Sequence, residues 1–138
     1  MNLEQQCVSL EMARKLRELG IKQQSLFYWV KVEIENVAMY GIKYIVDMFD
    51  EKDKFKEIYS AFTAAELGEM LPYSIKDEDG NSCYFIQDKF NECHRVSFAD
   101  FSDGECSPYI EVKGETEANI RAKMLIHLIE NKLVILGI

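Results

Sequence analysis

Few residues in this sequence are equipped for metal binding or nucleophilic attack. There are four cysteines, Cys7, Cys83, Cys93 and Cys106, and two histidines, His94 and His127. Cys83, Cys93, His94 and Cys106 together have the donor types of a Cys3His zinc site. Such sites build on cysteine knuckles with roughly two to four intervening residues, because close spacing pre-forms half of the tetrahedron. Here the cysteine spacings are ten and thirteen residues. In an extended segment Cys93 and His94 would also point to opposite faces, which denies His94 the role of general base for Cys93. His127 shares the polar side of a helical segment with Asn119, Lys123 and Glu130, the position of a surface histidine.

The acidic run Asp77-Glu78-Asp79-Gly80-Asn81 raises calcium and fails the test. An EF-hand loop needs oxygen donors at its first, third and fifth positions, glycine at the sixth and glutamate at the twelfth. With Gly80 sixth, Ile75 is first and Ile86 twelfth, and neither can bind the ion. The sequence also has no G-x-S-x-G elbow, no H-E-x-x-H pair and no glycine-rich phosphate loop. Carboxylates crowd residues 63–115, but their abundance there removes the diagnostic value of any one pair. The reading is of no catalytic residue, no cofactor and no metal ligand, with an enzyme of unrecognised site kept as an alternative.

The elements that hold these groups can be placed by pattern. Ser9 is a good N-cap for a helix to Leu19, with Met12, Ala13, Leu16 and Leu19 on one face and Gly20 as the C′ residue. Glu11–Lys15, Arg14–Glu18 and, further on, Glu117–Arg121 are spaced as i,i+4 ion pairs. Leu26 to Ile34 is aromatic and β-branched, alternating apolar and charged from Val30, which reads as a strand with one wet face. A turn over Asn36–Gly41 and a partner strand Ile42–Val46 complete a hairpin. A charged loop, Asp50 to Lys54, follows. Thr63-Ala64-Ala65-Glu66 is a capping box for a short helix stopped by Pro72. Lys76 to Ser82 is an exposed loop, with strands at Cys83–Gln87, His94–Phe98 and Tyr109–Lys113. A last helix runs from Glu117 to about Asn131, and the apolar residues 133–138 add a strand or dock on the core.

The expected fold is therefore α+β, one domain over residues 1–138. It is an antiparallel sheet of about five strands with helices at both ends of the chain and a short central helix, in the order α-β-β-α-β-β-β-α. A chain of this length buries about two-thirds of its unfolded surface. With 48% hydrophobic residues, its core needs no staple. No stretch approaches the roughly 20 apolar residues that span a bilayer, and Met1 to Gln6 lacks the basic and apolar regions of a secretion signal. The expectation is a cytoplasmic protein with reduced thiols and no membrane association.

Charge is unevenly distributed. The net charge is −8, and residues 63–115, with four basic and twelve acidic side chains, carry a balance equal to all of it. Direct nucleic-acid binding is not expected, since there is no basic stripe. An acidic surface that imitates DNA is an alternative, set against the simpler reading of a solvated face. The aromatic run Phe27-Tyr28-Trp29 puts apolar groups on both sides of one strand, so both need cover, and a homodimer is one way to supply it. The candidate interaction surface comprises Tyr28, Trp29, Asp77, Glu78, Asp79, Asp100, Asp103 and Glu105.

Three stretches together carry a resemblance. They are Cys7 to Gly20 with Ser25 to Trp29, Ala61 to Pro72, and Glu117 to Leu133. In them the chain resembles a family of small uncharacterised proteins carried on prophages and mobile elements of gut bacteria. The likeness covers most of the chain, least of all its acidic middle. It implies a phage-associated accessory protein that acts by contact with another protein or with DNA-processing machinery, and it implies no catalytic or ligand-binding residue.

Overall fold

The computed structural model describes residues 2–48 and 55–134. The charged loop expected over Asp50–Lys54 and the last part of the apolar stretch, residues 135–138, lie outside them.

The α+β architecture is present, with helices towards both ends. A short helix α1 (Leu3–Gln6) opens the described chain, held by a capping box between Asn2 and Gln5. Helix α2 (Leu10–Glu18) starts where Ser9 Oγ accepts from the Met12 amide, and it buries Ala13 and Leu16. It ends in a Schellman motif. Gly20 stands at φ 91°, its amide donates to Arg17 O, and the Ile21 amide donates to Leu16 O.

Strands β1 (Phe27–Ile34), β2 (Val37–Tyr44) and β3 (Glu57–Ser60) form a three-stranded antiparallel sheet in the order β2-β1-β3. The expected turn over Asn36–Gly41 is corrected here. The chain reverses over only Glu35 and Asn36, both at positive φ (51° and 68°), and Ile34 pairs directly with Val37. That is type I′ geometry, whose twist suits a two-residue hairpin. Gly41 sits within β2, opposite Val30.

Helix α3 (Ala64–Met70) has the capping box expected of Thr63 and Glu66. Beyond it, β4 (Ser74–Lys76), β5 (Ser82–Phe90), β6 (Cys93–Asp100) and β7 (Ser107–Gly114) form a second antiparallel sheet in sequential order. The strands are thus divided over two sheets, and the short β3 and β4 join those expected. Helix α4 (Glu117–Glu130) is capped by Thr116 and closes in a second Schellman motif, with Lys132 at φ 57°.

Alternation in the second sheet sends Cys83, Phe85, Val96, Phe98, Ile110 and Val112 to one face. There they pack with Leu67, Ala118, Ile120, Ala122, Met124, Leu125 and Leu128 from α3 and α4, together with Val8, Ala13, Leu16 and Phe62. The segment before α2 is built into this core: the Val8 amide donates to Phe62 O, and the Ser9 amide donates to Asn119 Oδ1 at 2.8 Å.

Three basic residues expected in i,i+4 pairs serve tertiary contacts instead. Lys15 faces Glu130 across α2 and α4, Arg14 donates to Tyr40, and Arg121 donates to Gln87 and to Ala64 O. A single-turn pair on solvent is worth only a few tenths of a kcal/mol, so partners on other elements displace it readily; those of Arg121 are partly buried, while those of Lys15 and Arg14 are exposed.

Candidate interaction surface

The two aromatic candidates are half-buried. Trp29 packs against the core, and its indole Nε1 donates to Val8 O at 2.9 Å. The Tyr28 hydroxyl accepts from the Ser25 amide at 3.2 Å. Both rings tie β1 to neighbouring segments and present limited area outward.

The six acidic candidates come together at one end of the second sheet. The β5–β6 turn lies at the opposite end of the ladder, so the β4–β5 turn and the β6–β7 connection emerge side by side. The electrostatics agree: burial pushes the Cys83 thiol up, and the charges of Asp77 and Asp100 push it further. Asp77 and Asp100 are structural within their turns. Asp77 Oδ1 accepts from the amides of Asp79 and Asn81, and Asp100 Oδ1 accepts from the Ser102 amide. Glu78, Asp79, Asp103 and Glu105 are exposed.

Cys93 and His94 lie at successive ladder positions, opposite Phe90 and Lys89, and therefore on opposite faces. His94 Nδ1 lies 3.8 Å from Glu117 Oε1. Among the described residues, no group of three or more histidine, cysteine, aspartate or glutamate side chains is arranged to hold a metal ion. No helix among them is long and apolar enough to cross a membrane. A groove of about 550 Å³ runs between α2 and α4 over Met12 and Ile126. Glu11, Glu18 and Glu130 balance Arg14, Lys15 and Lys123 around it, so it favours neither anion nor cation.

The β1–β2 hairpin carries a surface that the sequence reading missed. Val32 pairs with Met39 and Ile34 with Val37, and strand alternation puts all four on one face. Ile34, Val37 and Met39 are each 59% exposed. The signal was present in the strict alternation of β1 but was masked by the turn expected over Asn36–Gly41. On the opposite face, Lys31, Tyr40 and Glu57 stand in one row across the three strands. The Tyr40 hydroxyl donates to Glu57 Oε2 at 2.9 Å, and the Arg14 guanidinium lies over the Tyr40 and Tyr59 rings. The Tyr40 hydrogen bond leads in holding the Glu57 carboxyl below its ordinary range, aided by Tyr59, Lys31 and Arg14.

The hairpin also leaves backbone groups open. Leu26 O accepts from the Ile45 amide, while Lys31 O and Phe27 O accept from Lys56 and Ala61 on the β3 side. Antiparallel alternation then turns the amides and carbonyls of Ala38, Tyr40, Ile42 and Tyr44 away from β1. Among the described residues no strand pairs with that edge.

Comparison of the chain with family models, with curated proteins and with solved structures finds no match.

Proposed function

We propose that this chain is a cytoplasmic, non-catalytic accessory protein, of the kind carried by prophages, that acts by binding a protein partner through its β1–β2 hairpin. The observation that carries this reading is the contiguous exposed face of Ile34, Val37 and Met39 beside Val32. Apolar patches of this sort on a folded surface mark contact sites. The resemblance to prophage-borne proteins supports an accessory role. Affinity capture from bacterial lysate tests it, with Ile34→Glu/Met39→Glu as the comparison. The expected result is a protein enriched by the unaltered chain and lost at least 10-fold from the double variant. No enrichment over a charge-matched control protein overturns the reading.

A second reading has its own observation. Two acidic turns share one sheet end, which favours occupation of a basic groove, as in imitation of DNA. Neutralising Glu78, Asp79, Asp103 and Glu105 to the corresponding amides should then abolish competition with duplex DNA for a basic DNA-binding protein. If the unaltered chain does not compete, this reading fails.

A further inference from the structure

We propose that the open edge of β2 pairs with the same edge of a second copy of this chain, antiparallel, with the two-fold axis at Gly41. This deepens the reading of the hairpin as a contact surface and rests on it. It commits the backbone edge, rather than the apolar side-chain face, to self-association.

The argument is one of register. The outward-facing residues are Ala38, Tyr40, Ile42 and Tyr44. Two antiparallel strands bond where outward residues stand opposite each other. A two-fold axis at residue 40 leaves Tyr44 unpaired, and one at residue 42 leaves Ala38 unpaired. An axis at Gly41 sets Tyr40 against the second copy's Ile42 and Ala38 against its Tyr44, so all four outward residues are satisfied in each copy.

Side chains fit the same register. Gly41 would face its own symmetry mate in a non-hydrogen-bonded pair, where α-carbons approach to about 4.5 Å and side chains crowd most. It is the one residue of β2 without a side chain, and the space where a β-carbon would stand is empty to 4 Å. The bulky, exposed Tyr44 would meet the small Ala38. A strand edge this long and this apolar, with Lys43 as its one charged residue, is a strong template for pairing.

Electrostatics favour the same place. Two chains of net charge −8 repel at most approaches. The hairpin from Phe27 to Tyr44 carries Lys31, Lys43, Glu33 and Glu35, and so has no net charge. Joining there sets no excess of like charge against itself.

Light scattering and amide hydrogen exchange over a concentration series test the proposal. The expected mass is twice the 16.0 kDa of the chain at high concentration, falling to the single-chain value on dilution. The amides of Ala38, Tyr40, Ile42 and Tyr44 should slow at least 10-fold on association, while those of Met39, Gly41 and Lys43, bonded to β1, should be slow throughout. Ile42→Pro removes one outward amide and no amide that faces β1. It should return the mass to one chain, with its circular dichroism checked for folding. Gly41→Val should weaken association at least 10-fold.

A mass that stays at one chain, or exchange that does not alternate with residue number, overturns self-pairing. So does a dimer that survives both substitutions. If Ile42→Pro does not fold, the exchange pattern of the unaltered chain decides. A monomeric chain that still enriches a partner lost on Ile34→Glu/Met39→Glu overturns self-pairing alone. A dimer that enriches nothing overturns the lysate-partner reading alone.

Discussion

Arg121 of α4 passes so close to Gly68 of α3 that a β-carbon on the glycine would stand 2.7 Å from Nη1. The guanidinium is not free to move aside. Nη1 donates to Ala64 O at 2.6 Å, and Nε and Nη2 donate to Gln87 Oε1 at 2.8 and 2.6 Å. One side chain thus ties α4 to α3 and to β5, and the glycine makes room for it.

Gly68→Ala therefore sets two effects against each other. Alanine in a helix gains about 1 kcal/mol over glycine, but displacing a charged hydrogen-bond donor costs about 1.5–3 kcal/mol. The substitution should destabilise the chain by about 1 kcal/mol. In an Arg121→Met background the same change should stabilise by about 1 kcal/mol. Urea unfolding of the four proteins in a double-mutant cycle reads the sign reversal.

The Glu35–Asn36 turn should be improvable. Both residues occupy positive φ, which glutamate tolerates poorly and asparagine and glycine tolerate well. Relief of strain at positive φ outweighs the added unfolded-state freedom of glycine, so Glu35→Asn with Asn36→Gly should raise unfolding stability by roughly 1 kcal/mol, measured as a shift in the denaturation midpoint at unchanged slope.

Acid should loosen the Glu57 network. Its carboxyl titrates below the ordinary 4.5, chiefly through the Tyr40 hydroxyl. A depressed acid pKa contributes stability that is present above the unfolded value and lost as pH falls through the folded one. Tyr40→Phe should move the Glu57 carboxyl upward, read by carbon NMR titration. The stability gap between the two proteins should narrow as pH falls below about 4.

Alkali should act through Cys7. Burial, and then the Glu66 charge, push its thiol from 9.0 to about 11. The folded chain keeps the proton where the unfolded chain releases it, so stability falls as pH rises from 9 to about 11, by roughly 2–3 kcal/mol. Cys7→Ala should remove that slope in unfolding experiments across the range.

The local features were legible in the sequence, since each is written within a few residues. Ser9, Thr63 with Glu66, and Gly20 mark helix ends by side-chain chemistry or backbone freedom alone. The hairpin was misplaced because Gly41 and Asn36 are both turn-forming residues, and only cross-strand pairing decides between them. The short β3 and β4 owe their existence to the ladders they join. The acidic candidates were found as a sequence run, yet their meeting at one sheet end follows from strand order. Of the apolar face, the alternation of β1 showed Val32 and Ile34, and only the register added Val37 and Met39 beside them.

The hydrogen bond from the Ser9 amide to Asn119 joins residues 110 positions apart. A ribosome adding about 5–20 residues per second must work for several seconds between the two. Through that interval the segment carrying Cys7 and Val8 has no α4 to dock against, and the core beneath it stays open. Docking of this segment on α4 is thus confined to the time after α4 emerges, and a nascent chain stalled before it would leave Val8, Leu16 and Phe62 without their α4 cover.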